Sequence, residues 1–440
     1  MRSGITRQAL RRHRWALAGP ACTQVLGAAV IAVMLMTASS LRAAGLSGGE
    51  LADTAAVFLG VAIYLSVLVV GVTMNLAVTR QVRDLALLRT IGATPGQVRR
   101  SVVLQAALVS VPASLLGCVL AVPLASGWLA LLRAHGALPS GVDLTPTLAA
   151  VPAAMGIQLA TSVAGAWTAG RRTARLAPSI ALTEGSAGRR RLGRMRVAVG
   201  GLLLVAGLVG SAVVATLAAD QADDAALFVL LAECIGIGLV GPVALRAFTA
   251  ALRPLLADGL PRLAGDGVAC LSRPLSGALV PLVLAVAFAG IKVAGHTTAA
   301  AVTGRPEPAA DVWTNYSGTA VYCAFAGIAA LNALVTVVVG RRGDLAVLQL
   351  VGGSRRRVLL LVAVEGAIIT AAAILLAAVA AGATLLPMLH TGLGTWLPRV
   401  PLPVLGAGLV LTAGLVAAGT VGTAVVLTGQ PPLQRSRRAG

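Results

Sequence analysis

Charge is what this chain has least of. Only 11% of its residues are charged, where a soluble domain of this length carries about a quarter. That excludes an ordinary water-soluble fold. Lysine is nearly missing: Lys292 stands alone against 34 arginines. The pattern G-x-x-x-x-G-K-[ST] is absent, and a single lysine placed in an apolar run cannot supply it. Nucleotide hydrolysis at a P-loop is therefore excluded, and no catalytic residue and no cofactor-binding residue is assigned to this chain. Cysteine is sparse too. Cys22, Cys118, Cys234, Cys270 and Cys323 are odd in number and scattered, giving neither a disulfide framework nor a CxxC metal pair. His13, His135, His296 and His390 are equally isolated, so no metal site is expected.

Long apolar runs are what the chain has instead. It is 57% hydrophobic with mean hydropathy +0.89. One crossing of a bilayer takes about 20 apolar residues. Ten candidate spans fall near 15–38, 53–78, 102–132, 147–169, 197–219, 225–250, 275–298, 318–340, 358–387 and 402–428. The first apolar run, Trp15 to Thr37, exceeds the usual signal-peptide core of about 7–15 residues and reads as a retained span. The expected fold is an all-α polytopic membrane protein.

The net charge of +20 would suggest a nucleic-acid partner in a soluble protein. The arginines argue otherwise, because they flank spans. With the N-terminus inside, cytosolic segments hold 30 of the 34 arginines, leaving Arg42, Arg133, Arg305 and Arg399 outside. Acidic residues gather on the opposite side, among them Glu50, Asp143, Asp220, Asp223, Asp224 and Asp311. That asymmetry follows the positive-inside rule. Both termini are expected in the cytosol, with lipid and not nucleic acid around the chain. A bacterial plasma membrane suits the arginine-, alanine- and glycine-rich composition. Short segments on both faces leave no room for a soluble catalytic domain.

Two of the cytosolic segments resemble each other. Residues 84–100 read DLALLRTIGATPGQVRR and residues 344–358 read DLAVLQLVGGSRRRV. An offset of 260 pairs Asp84 with Asp344, Leu85 with Leu345, Leu88 with Leu348, Gly92 with Gly352 and Gln105 with Glu365. In the first, Arg83, Leu85, Leu88 and Arg89 describe a short amphipathic helix. Gly92 suits the left-handed position past its end. Thr94 then reads as an N-cap, Pro95 as the first helical residue, and Gln97 as the partner in a capping box. The second segment keeps Gly352, Gly353 and a Ser354 cap, but has Arg357 where the box needs Gln. Six spans separate the segments, so the two share one orientation, as in a parallel repeat. The chain is thus expected to divide into four spans (1–185), a two-span insert with a basic linker (186–260) and four spans (261–440).

These residues resemble the FtsX/MacB-like permease family, the membrane subunits of certain ABC transporters. That family carries a stretch like RxxELalLRalGatrrqi before a span with an early Glu, matched by RDLALLRTIGATPGQVRR with Gln105 and by GDLAVLQLVGGSRRRV with Glu365. GRRTARLAPSIALTE resembles the family's basic tail with Pro-x-x-Ala-Leu, whereas the final TGQPPLQRSRRAG departs from it. The resemblance implies a ten-span permease with two FtsX-like units and no ATPase activity of its own. It implies two cytosolic ABC ATPase subunits per chain, which would hold the ATP. Arg83, Asp84, Leu85, Leu88, Arg89, Gly92, Asp344, Leu345, Leu348 and Gly352 would form the ATPase-coupling contacts, the four leucines entering grooves on the partner. The large extracellular domain of many relatives is absent, since 39–52 and 299–317 occupy its places.

Four polar residues fall inside expected spans: Glu233, Lys292, Gln105 and Glu365. Ionisable groups in a bilayer are costly and are usually paired or functional. Glu233 and Lys292 lie at similar depth in consecutive spans, which allows an ion pair between them; the alternatives are snorkelling by Lys292 and a protonated, locally bonded Glu233. Gly236, Gly238 and Gly241 match G-x-G-x-x-G, but within a span, where small residues serve helix packing. The reading is export or extraction of a hydrophobic or amphipathic compound. Its alternatives are an ion-driven secondary transporter, with Glu233 or Glu365 as carrier, and a non-transporting regulator working with an ATPase.

Overall fold

The computed structural model describes residues 14–45, 50–81, 87, 89–90, 92–138, 145, 149–174, 194–216, 219–305 and 308–429. Among them there is helix and no strand. In lipid the backbone must satisfy its own polar groups, and a chain of Ala, Leu, Val and Gly does so as helix. The helices are α1 (Arg14–Ala43), α2 (Glu50–Arg80), α3 (Pro95–Ala134), α4 (Ala150–Ala174), α5 (Arg194–Val214) and α6 (Ala219–Leu252). Then follow α7 (Leu260–Cys270), α8 (Ser272–Thr303), α9 (Ala309–Gly340), α10 (Arg342–Leu350), α11 (Arg355–Leu393) and α12 (Leu402–Ala417). A π-helical turn over Ala418–Gly422 joins α12 to α13 (Thr423–Thr428). That turn places Gly419 against Leu334, where a Cβ would come within 2.9 Å of the leucine side chain.

Nine helical stretches among the described residues are long and apolar enough to cross a membrane. They fall on nine of the ten expected spans. The tenth, near 147–169, is the helix α4, which is not one of the nine. Gln158, Thr161 and Ser162 dilute its apolar character, and all three are buried. The chain is a multi-pass membrane protein. α3 and α11 have 40 and 39 residues. At about 1.5 Å per residue each is far longer than the ~30 Å hydrocarbon layer. Each therefore continues from its span into the hairpin that precedes it. α7 was not expected: an eleven-residue helix follows Gly259 (φ 93°), with Leu256 over Gly265.

Compactness divides the chain into two units. The first comprises Met1–Arg189 with Ala309–Phe325, and the second Arg190–Pro308 with Ala326–Gly440. In the first, α1 packs on α2, α3 and α4, and α4 also packs on α2 and α3. Gly117 makes the α1–α3 contact close, since a Cβ there would lie 2.3 Å from the Val25 carbonyl oxygen. Val70, Met74 and Val78 of α2 meet Val98, Val102 and Ala106 of α3 and Ala166 and Ala169 of α4 in one cluster. Arg99 and Arg171 both lie over the ring of Trp167, at 5.9 and 4.5 Å. The segment Ala309–Phe325 joins this unit through Tyr322, whose hydroxyl donates to the Phe58 carbonyl at 2.7 Å.

In the second unit α8 and α11 pack together, and α6 packs on both. The insert thus groups with this unit. Its G-x-G-x-x-G is helix packing: Gly236 faces Leu204, Gly238 faces Val280 and Gly241 faces Ser276. α5 is tied to α11 by Ser211, which donates to the Ala383 carbonyl at 2.6 Å.

Candidate functional site

The two hairpins fold by the same local chemistry. Gly92 and Gly352 have φ of 98° and 102°, a conformation that favours glycine over residues bearing a Cβ. Their amides donate to the carbonyls of Arg89 and Gln349, each at 3.2 Å. Thr94 and Ser354 then cap α3 and α11, accepting from the amides of Gln97 and Arg357 at 3.3 Å. In the first hairpin Gln97 closes the capping box, taking the Thr94 amide at 3.0 Å. Arg357 makes no such return bond, as its chemistry requires.

The packing beneath the hairpins corresponds as well. Val78, Val98 and Val102 lie in one buried cluster, and Val338, Val358 and Val362 in another. The members of each pair are 260 positions apart, the offset that aligns the hairpins.

The coupling residues divide differently from expectation. Arg83, Asp84, Leu85 and Leu88 lie outside the described residues. Arg89 is half-buried, Gly92 exposed and Asp344 exposed. Leu345 is 0% exposed, inside the cluster of Val338, Val358, Val362 and Ala424, and Leu348 packs on the same cluster. Leu345 holds α10 to its own unit with no exposed surface, while Leu348 is only partly buried. A short helix on a membrane protein can spend its apolar stripe inward, and periodicity alone does not say which way it faces. The apolar residues that α10 and its end do present are Val347, Leu350 and Val351, at 54%, 51% and 82% exposure. Leu87, opposite Val347 in the alignment, is 47% exposed.

Glu365 has a partner that sequence reasoning missed. Arg341, between α9 and α10, donates from Nη2 to Oε1 and from Nη1 to Oε2, each 2.8 Å. The side chains are only 11% and 7% exposed, so this is a two-pronged, buried ion pair. The aligned positions near the first hairpin hold Gln81 and Gln105, both buried. Arg341 follows an apolar span and reads as a topology arginine. Only the fold brings it to an acid 24 residues later.

Residues 56–178 match the model of the FtsX-like permease C-terminal family. The chain carries an FtsX-like permease domain. That family implies a membrane permease of an ABC-type system, which works with an ABC ATPase. No curated protein matches the chain significantly.

The first unit has a polar layer that the sequence reading did not single out. Gln24 of α1 donates from Nε2 to Ser162 Oγ of α4 at 3.1 Å. Gln158 of α4 donates to Ser66 of α2, and Ser162 Oγ reaches the Ala106 carbonyl of α3 at 3.5 Å. All four helices of the bundle meet in these bonds. Gly27 makes room for them, since a Cβ there would come within 2.4 Å of Gln158 Nε2. Both glutamines are fully buried, and their Oε1 atoms have no hydrogen-bond partner among the described residues. Two amides in otherwise apolar runs were the available signal.

In the second unit, Glu233 is buried on α6 against Gly207 of α5, where a Cβ would lie 2.6 Å from its Cγ. Its Oε2 accepts no hydrogen bond among the described residues. Lys292, on α8, is half-buried. Among the described residues no three His, Cys, Asp or Glu side chains gather as a metal site. His135 instead packs on Trp313, and His390 stacks on Trp396 at 4.3 Å between ring centroids.

Proposed function

We propose that the chain is the permease subunit of an ABC transporter and that it exports or extracts a hydrophobic or amphipathic compound. The observation that carries this reading is the pair of capped hairpins, one of them inside the matched permease domain. Their shared offset of 260 in glycine, cap and buried valines supports two FtsX-like units in parallel. Two equivalent hairpins suit two ATPase subunits per chain. The positive-inside pattern supports a cytosolic side for both hairpins and both termini, at a bacterial plasma membrane on this reading. ATP binding and hydrolysis belong to the partner, and this chain holds no cofactor.

Docking uses the outward side of each hairpin helix. Val347, Leu350 and Val351 form it in the second, and Leu87 marks it in the first. Leu345 and Leu348 transmit the contact inward, because they join α10 to the base of α11. Exposed apolar groups of this kind, close together on a cytosolic surface, are where a partner is expected.

Purification of the tagged full-length chain from its native membranes tests the reading. Two ABC ATPase subunits should accompany each chain, with ATP hydrolysis that responds to candidate lipids or drugs. A chain that purifies intact without any ATPase contradicts it. An ATPase whose activity ignores every compound, with none moved in vesicles, favours the regulator.

A further inference from the structure

Arg341 stands where α9 ends and α10 begins, and serves as cap residue to both helices. Glu365 lies ten residues into α11, about 15 Å along it at 1.5 Å per residue. The ion pair therefore spans from the root of the hairpin into the body of the following helix. α7 closes it from another side: Gly267 touches the carboxylate, and a Cβ there would be 2.7 Å from Oε1. α10 itself has a second anchor in Leu345, one turn further on, fully buried among Val338, Val358 and Val362. A nine-residue helix fixed at two points can neither turn nor slide without breaking a buried ion pair or exposing a buried leucine.

We propose that the Arg341–Glu365 ion pair is a strut that makes α11 move with the hairpin helix α10. Arg341 and Glu365 are positioning residues on this view, and neither meets a partner or a substrate. The strut rests on the docking reading for its purpose, since something must push α10. Its existence as a rigid link does not. Charge is what makes the link stiff. Separating two charges this far from solvent leaves each uncompensated, which is strongly unfavourable. The aligned positions at the first hairpin hold the uncharged Gln81 and Gln105, both buried.

The test uses the full-length chain in a cysteine-free background, with spin labels on V347C of α10 and L360C of α11, both exposed sites. The distance distribution should be a single narrow peak in the parent and should broaden in E365Q. R341Q/E365Q leaves no buried charge uncompensated, and so should fold while still giving the broad distribution. R341E/E365R should narrow it again if the pair can form in reverse. A folded R341Q/E365Q protein with the parent's narrow peak overturns the strut. Co-purification of the ATPase with unlabelled R341Q/E365Q is a separate arm and should stay at the parent's level, because the docking residues are untouched. If the parent itself recovers no ATPase, the docking reading fails while the label measurement still decides the strut. Loss of the ATPase from a folded R341Q/E365Q protein would make the pair part of the interface and overturn the inference.

Discussion

Gln24 and Ser162 are joined across the first unit by a buried 3.1 Å hydrogen bond. Helix-to-helix side-chain bonds in membranes contribute about 0.6 kcal/mol on average and up to about 1.7. A double-mutant cycle on Q24L and S162A, read from thermal unfolding in detergent, should give a coupling in that range. Because S162A alone leaves the Gln24 Nε2 donor without this acceptor, Q24L/S162A should lose less than the sum of the single changes. Strict additivity would show that the bond contributes nothing.

Glycines in this fold separate into those that admit contact and those that face open space. A Cβ at Gly117 would meet backbone, the Val25 carbonyl oxygen at 2.3 Å, so neither helix can yield by a rotamer change. G117A should cost about 1–3 kcal/mol, the usual range for overpacking. Gly60 has nothing within 4 Å. G60A should be neutral or stabilising by up to about 1 kcal/mol, from helix propensity. Thermal midpoints of the two variants side by side check the contrast.

The Thr94 cap gives a third measurement. T94A removes the oxygen that takes the Gln97 amide and should cost about 1 kcal/mol, while T94S should cost little. Hydrogen exchange at the start of α3 should rise in T94A alone. Equal exchange in both variants would show that the box does not hold the turn.

Cap and turn were legible in the sequence because they are local: Gly92, Thr94, Pro95 and Gln97 each state a backbone requirement within four residues. The spans were legible because lipid leaves a chain few alternatives. The burial of Leu345 was not legible, since an amphipathic stripe reports that one face is apolar and not what covers it. Arg341 looked like one more topology arginine until the fold laid it against Glu365. Gln24 and Gln158 meet their partners through helices up to 138 residues apart, a separation no local pattern spans.

Glu365 is the fourth test of the arrangement. E365A strands the Arg341 guanidinium in a buried site and should destabilise by about 3–5 kcal/mol, the cost of removing one partner of a buried pair. G267A should act in the same direction by crowding the carboxylate. Both are read as loss of monodisperse protein on heating.

The most direct measurement of the central claim is recovery of the ATPase with V347D/L350D, purified beside the parent and matched for membrane insertion and thermal midpoint. Both side chains are about half exposed, so the substitutions leave the core intact. The account predicts a well-folded permease that retains an ABC ATPase about tenfold less, since two lost interface anchors amount to more than about 1.4 kcal/mol. Undiminished recovery of the ATPase with this variant would contradict it.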